Sequence, residues 1–193
     1  MSASETTSTK MSTNTQLLLA VACGLAYFYA FQLNVYWFDW MEFSHGANWV
    51  YLPSGLRLLF VLVLLRAGAV GIALGSVAVN YSIGNPDAHV FNIVTGLISG
   101  ASPYIARQLA VLWVGLDQQL ANVSGRMFFQ LSVLFAAVNA FTHQLWYFWE
   151  GHTQNFLGST LAMAAGDWTG TVLVLGTASF ALKTYKKFSA PEL

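Results

Sequence analysis

Residues 54–83 read SGLRLLFVLVLLRAGAVGIALGSVAVNYSI. The run is apolar and too long for one ordinary transmembrane helix, which crosses about 30 Å of hydrocarbon with about 20 residues. It is interrupted by Arg66-Ala67-Gly68. One continuous helix would place that arginine at its centre, whereas a break there gives two short helices, about 54–66 and 68–83. With the break the chain has six membrane segments; without it, five.

The remaining segments follow from their lengths and polar borders. Residues 17–38 form the first span, with Trp37 and Trp40 at its end where interfacial aromatics belong. Span four covers about 89–115 and is expected to bend at Pro103, where a backbone donor is missing. Spans five and six cover about 127–149 and 157–182. Residues 1–16 are polar and rich in Ser and Thr and read as a disordered cytoplasmic tail. The membrane domain is 17–183, and 184–193 is a short basic cytoplasmic tail. The fold expected is all-α, a polytopic bundle of six transmembrane helices.

The basic residues check this count independently, because lysine and arginine accumulate in cytoplasmic loops. Six spans put Lys10, Arg66, Arg126, Lys183, Lys186 and Lys187 on one side, while loops 39–53, 84–88 and 150–156 contain neither residue. Both termini are therefore expected in the cytoplasm. Composition agrees: of 193 residues 56% are hydrophobic and only 8% charged, against about 25% charged in soluble domains. Eight basic residues balance eight acidic ones, so there is no basic surface for nucleic acid. The single cysteine, Cys23, excludes a disulfide framework and reads as a small buried apolar residue. The apolar run continues past it, which fits an uncleaved first span rather than a signal peptide.

Polar residues inside the spans are costly, roughly 3 kcal/mol for a charge at mid-bilayer, and are expected to face the interior with partners. Asp167, Arg57, Arg107, Asn80, Asn92, Asn139 and His143 are of this kind. Counted from the outer ends, Arg57 lies near the outer boundary, Arg107 near the inner one and Asp167 between them. Asp167 can thus meet either arginine, as a ligand pocket or switch or as a structural ion pair. Three spans carry Gly-x-x-x-Gly: Gly71 to Gly75, Gly96 to Gly100, and Gly166 to Gly170. Small residues at that spacing permit close helix contact.

All four histidines fall on or near the outer face. His45, His89 and His152 with Glu150 are candidate metal ligands, since zinc and copper favour imidazole and oxygen, although solvated loop residues have the same composition. No cofactor is clearly implied. The outer aromatics suit an interfacial belt, or alternatively a pocket for an apolar or cationic ligand. Nucleophile-elbow, zinc-protease and phosphate-loop motifs are absent from the sequence, so no catalytic activity is expected.

Residues 48–80, NWVYLPSGLRLLFVLVLLRAGAVGIALGSVAVN, resemble the signature of the bacterial membrane-associated sensor domains of the first MASE type. The residues concerned are Trp49, Pro53, Ser54, Gly55, Arg66, Gly68, Gly71 and Gly75. Gly166, Asp167 and Gly170 resemble the Gly-Asp followed by glycine near that family's last spans. The chain departs from the family in having Leu52-Pro53 for Trp-Pro, six spans for eight, and only FSAPEL after Lys187. The resemblance implies a multi-pass sensory module of the bacterial inner membrane. It would relay to another membrane protein or a cytoplasmic signalling protein rather than to a fused output domain. Two other readings suit the size and span count: a substrate-capturing subunit of a membrane transport system, and a structural subunit of a larger membrane complex.

Overall fold

The computed structural model describes residues 11–189. They form six helices, α1 (Thr13–Phe38), α2 (Pro53–Leu64), α3 (Arg66–Ile83), α4 (His89–Leu109), α5 (Gly125–Trp149) and α6 (Phe156–Ser189). A short antiparallel hairpin, β1 (Glu42–Ser44) and β2 (Ala47–Asn48), lies between α1 and α2. The fold is all-α. Helix α1 starts at Thr13 rather than at residue 17, because Ser12 caps it by accepting the Thr15 N–H. At the other end α6 runs to Ser189, so 184–189 is helix rather than tail. Residues 1–10 and 190–193 of the expected tails lie outside the described residues.

The break in the opening stretch is present, but its pivot is Leu65, with φ 52° and ψ −117°. Gly68 then lets α3 fold back on α2, since a Cβ there would collide with the Phe60 backbone. Helix α2 has 12 residues, about 18 Å at ~1.5 Å per residue, and is shorter than a full span. The segment ahead of it, 49–52, is irregular and lies between helices. Its Tyr51 N–H donates to the Gly166 carbonyl at 3.2 Å and its Leu52 N–H to Asn34 Oδ1 at 2.8 Å. Non-helical backbone buried in this way needs such partners. Helix α4 continues through Pro103 and closes in a π-helical turn, Ala110–Val114, that stops at Gly115.

Two of the three glycine pairs pack helices together. Gly71 and Gly75 of α3 admit the backbone of α1 at Ala20 and Gly24, and Gly96 and Gly100 of α4 admit α3 at Ala69, Ala73 and Val77. The third pair does something else. Gly166 and Gly170 seat the carbonyls of Asn48 and Tyr51, so they receive the irregular segment ahead of α2, with Gly55 at the start of α2 packed beside Gly170.

Two helices turn polar residues inward and leave apolar ones exposed. Helix α4 turns Asn92, Thr95, Ser99, Ser102 and Arg107 inward and leaves Val90 (67%), Ile93 (44%) and Leu97 (57%) exposed. Helix α5 buries Ser132, Asn139, His143 and Gln144 while exposing Phe141, Leu145 and Trp149. An apolar cluster of Leu58, Ala106, Ala110, Leu116, Leu131, Phe135 and Leu175 fills the end of the bundle away from the hairpin. Among the described residues one helix, Thr13–Met41 with its terminal 3-10 turn, is long and apolar enough to cross a membrane by length and composition alone.

Candidate functional site

A cavity of about 370 Å³ occupies the middle of the bundle. Its floor is a closed polar triangle. Arg57 of α2 donates from Nη2 to Asp167 Oδ1 at 2.9 Å and from Nη1 to Asn139 Oδ1 at 3.1 Å, and Asn139 Nδ2 donates to Asp167 Oδ2 at 2.6 Å. Arg57 and Asp167 are 2% and 1% exposed, so the pair is desolvated. Water would otherwise solvate these charges; here each depends on the other two groups. The guanidinium also lies over the rings of Tyr51 at 5.3 Å and Phe135 at 5.5 Å. Arg57 Nε has no partner among the described residues.

One wall is a relay of small polar groups. Ser76 of α3 donates to Ser99 of α4 at 2.9 Å, and Ser99 lies 3.1 Å from His143 Nε2. His143 Nδ1 is 3.0 Å from the Asn139 carbonyl and must donate to it. Ser99 accepts from Ser76, and with its contact to Nε2 both ring nitrogens of His143 are occupied within the protein. Tyr27 and Tyr51 share a hydroxyl bond at 2.8 Å on the opposite wall.

The mouth is built from segments far apart in sequence. Asp39, Glu42, His45 and Gly46 border it, together with Phe91 and Tyr147. His45 stacks on His152 at 5.0 Å, His152 lies 4.3 Å from Phe91, and Tyr147 meets His45 edge-on at 5.3 Å. Ser44 reaches Ser159 at 2.7 Å, tying the hairpin to α6. Burial and the neighbouring His152 hold His45 below the usual 6.5, against a weaker upward pull from Glu42.

Of the residues singled out in the sequence, the structure brings Asp167, Arg57, Asn139 and His143 together, and Asn80 lines the same cavity while donating to the Asn92 carbonyl at 3.0 Å. Arg107 is not part of it. Its Nη2 donates to the Gln118 carbonyl at 2.7 Å near the opposite end, which decides in favour of Arg57 as the partner of Asp167. The metal candidates do not assemble. His45 and His152 stack, but His89 is bonded to Tyr81 at 2.9 Å and Glu150 is exposed beyond α5. Among the described residues no three His, Cys, Asp or Glu side chains form a metal-holding group. Sequence reasoning missed Ser76, Ser99, Tyr27 and Tyr51. Ser76 follows Gly75 and Ser99 precedes Gly100, so the close-packed glycine faces carried a signal for them.

Comparison of the chain with protein families, curated proteins and solved structures gives no match. The site must therefore be interpreted from its own geometry.

Proposed function

We propose that this chain is an integral membrane module of the bacterial inner membrane that binds a small molecule in its central cavity and passes occupancy to a partner protein. The observation that carries this reading is the one-sided cavity, bordered by exposed Asp39, Glu42 and His45 at one end and closed beyond Asp167 by the apolar cluster. Its volume falls in the range of small-molecule pockets, roughly 300–1,000 Å³.

Support for the membrane comes from the inward-facing polar residues, since exposed apolar faces on several helices need a nonpolar surrounding. The loops at the mouth carry no lysine or arginine, and the opposite end carries exposed Arg66 and Arg126. On this reading six segments cross, α2 doing so together with the irregular segment before it, and both termini are cytoplasmic. Buried irregular backbone is tolerated at such depth where protein satisfies it. The two segments that resemble the MASE-type sensor signature also meet in space, Gly55 packing on Gly170 and Val174.

Binding without turnover is favoured because no base is left free at the floor. Both Asp167 oxygens and both His143 nitrogens are engaged. Occupancy shifts packing only if the ligand favours one arrangement. Helix α6 links the floor, through Asp167, to the basic end where a partner would contact it. The same one-sided cavity suits a substrate-capturing transport subunit, which vesicle uptake with an energising partner would reveal.

The test is native mass spectrometry of protein extracted in mild detergent. A bound small molecule is expected in the wild type and absent from Val79→Phe, which fills the cavity from an apolar wall position. Val79→Phe retaining the adduct, or a stoichiometric protein complex with an empty cavity, would favour a purely structural subunit.

A further inference from the structure

Resting on the reading of the cavity as a ligand site, we propose that its ligand is a small organic cation, an ammonium compound admitted from the acidic mouth and held by the aromatic walls. Three observations converge. The first is charge. The lining contains the carboxylates of Asp39, Glu42 and Asp167 and one basic group, Arg57, which is already paired with Asp167. Asp39 and Glu42 remain, and the loops around the mouth, 39–53, 84–88 and 150–156, supply no lysine or arginine to offset them. A narrow opening of one sign between low-dielectric walls concentrates ions of the other sign.

The second is the wall. Tyr27, Phe31, Tyr51, Phe91 and Tyr147 line the space, and ring faces attract ammonium and guanidinium groups. The protein already uses this attraction on itself, with Arg57 lying over Tyr51. The third is the state of the histidines. Both ring nitrogens of His143 are engaged within the protein, and His45 at the mouth is held below its usual range, so His45 does not oppose a cation at neutral pH. An anionic ligand would face Asp39 and Glu42 on entry and would find Arg57 already paired. An uncharged apolar ligand would gain nothing from the carboxylates of Asp39 and Glu42 at the mouth.

The experiment measures binding to the full chain in nanodiscs by calorimetry, with two sets of shape-matched probes. One is choline, 3,3-dimethylbutanol and 3,3-dimethylbutanoate; the other is tyramine, 4-ethylphenol and 4-hydroxyphenylacetate. In at least one set the cation is expected to bind ten-fold or more tightly than its neutral counterpart, with no binding of the anion. Added salt should weaken the cation alone. Asp39→Asn with Glu42→Gln, both at exposed positions, should bring the cation within about three-fold of the neutral probe while leaving the melting profile unchanged. Neutral or anionic probes that bind as tightly as the cations, and that Val79→Phe excludes, would overturn the cation assignment and leave the ligand site standing. Absence of binding by all six, with no adduct in native mass spectrometry, would remove both. Cation binding that survives Val79→Phe would place it outside the cavity and overturn the proposal.

Discussion

At the residue scale the decisive contact is between Arg57 and Asp167, with Asn139 closing the triangle. Removing one partner from a buried pair leaves a charge with no compensation and costs about 3–5 kcal/mol. Asp167→Asn is therefore expected to lower thermal stability in detergent by that order, and Arg57→Met added to it should recover most of the loss. Circular dichroism melts of the two variants against wild type check this; a double variant no better than the single would show that the triangle is not the source. The sequence placed Asp167 between two arginines but could not choose. The choice depends on how α2, α4 and α6 are rotated, and rotation is set by packing rather than by position along a span.

At the element scale, what could be read in advance was the lengths and breaks of helices, because apolar runs and polar borders encode them directly. The hairpin of α2 and α3 was legible from Arg66-Ala67-Gly68, though the turn itself falls on Leu65. The role of Gly166 and Gly170 was not legible, since a small-residue pair permits close approach without specifying what approaches. Gly75→Val is expected to push α1 from α3 and reduce the recovery of monodisperse protein, as its side chain would meet the Gly24 backbone. Gly176→Ala, where nothing lies within 4 Å, should elute as wild type in size-exclusion chromatography.

The hairpin has its own dependence on acidity. His45 is folded with a pKa below 6.5, so the unfolded or undocked hairpin binds more protons in the window just under that value. Docking should weaken as pH falls through this window and be constant above it. The protection factors of residues 42–48, which correct for the slower intrinsic exchange in acid, are expected to fall as pH drops below about 6.5, and His45→Asn should flatten that profile.

At the scale of the whole molecule, the proposed six crossings with cytoplasmic termini predict one orientation. An impermeant thiol reagent should label Gln154→Cys in intact spheroplasts, and Arg126→Cys only after permeabilisation, in a Cys23→Ala background. Labelling of both in intact cells would contradict six crossings. The cavity itself was foreshadowed only in outline. Its floor could be assembled from residues costly to bury, while its mouth depends on Phe91, Tyr147 and His152 converging on the hairpin, a tertiary event with no local signature.

The triangle at the floor also bears on the order in which the chain is made. Arg57 and Asp167 are 110 positions apart, so at about 5–20 residues per second the arginine waits roughly 5–20 s for its counter-charge. During that interval the segment destined for Gly166 and Gly170 has no seat, and on the proposed membrane reading α2 would enter the bilayer half-length and unpaired. Nascent chains stalled before α6 should then be held by an insertase or cleared by membrane proteases, so that the last helix synthesised commits the first five to their final places.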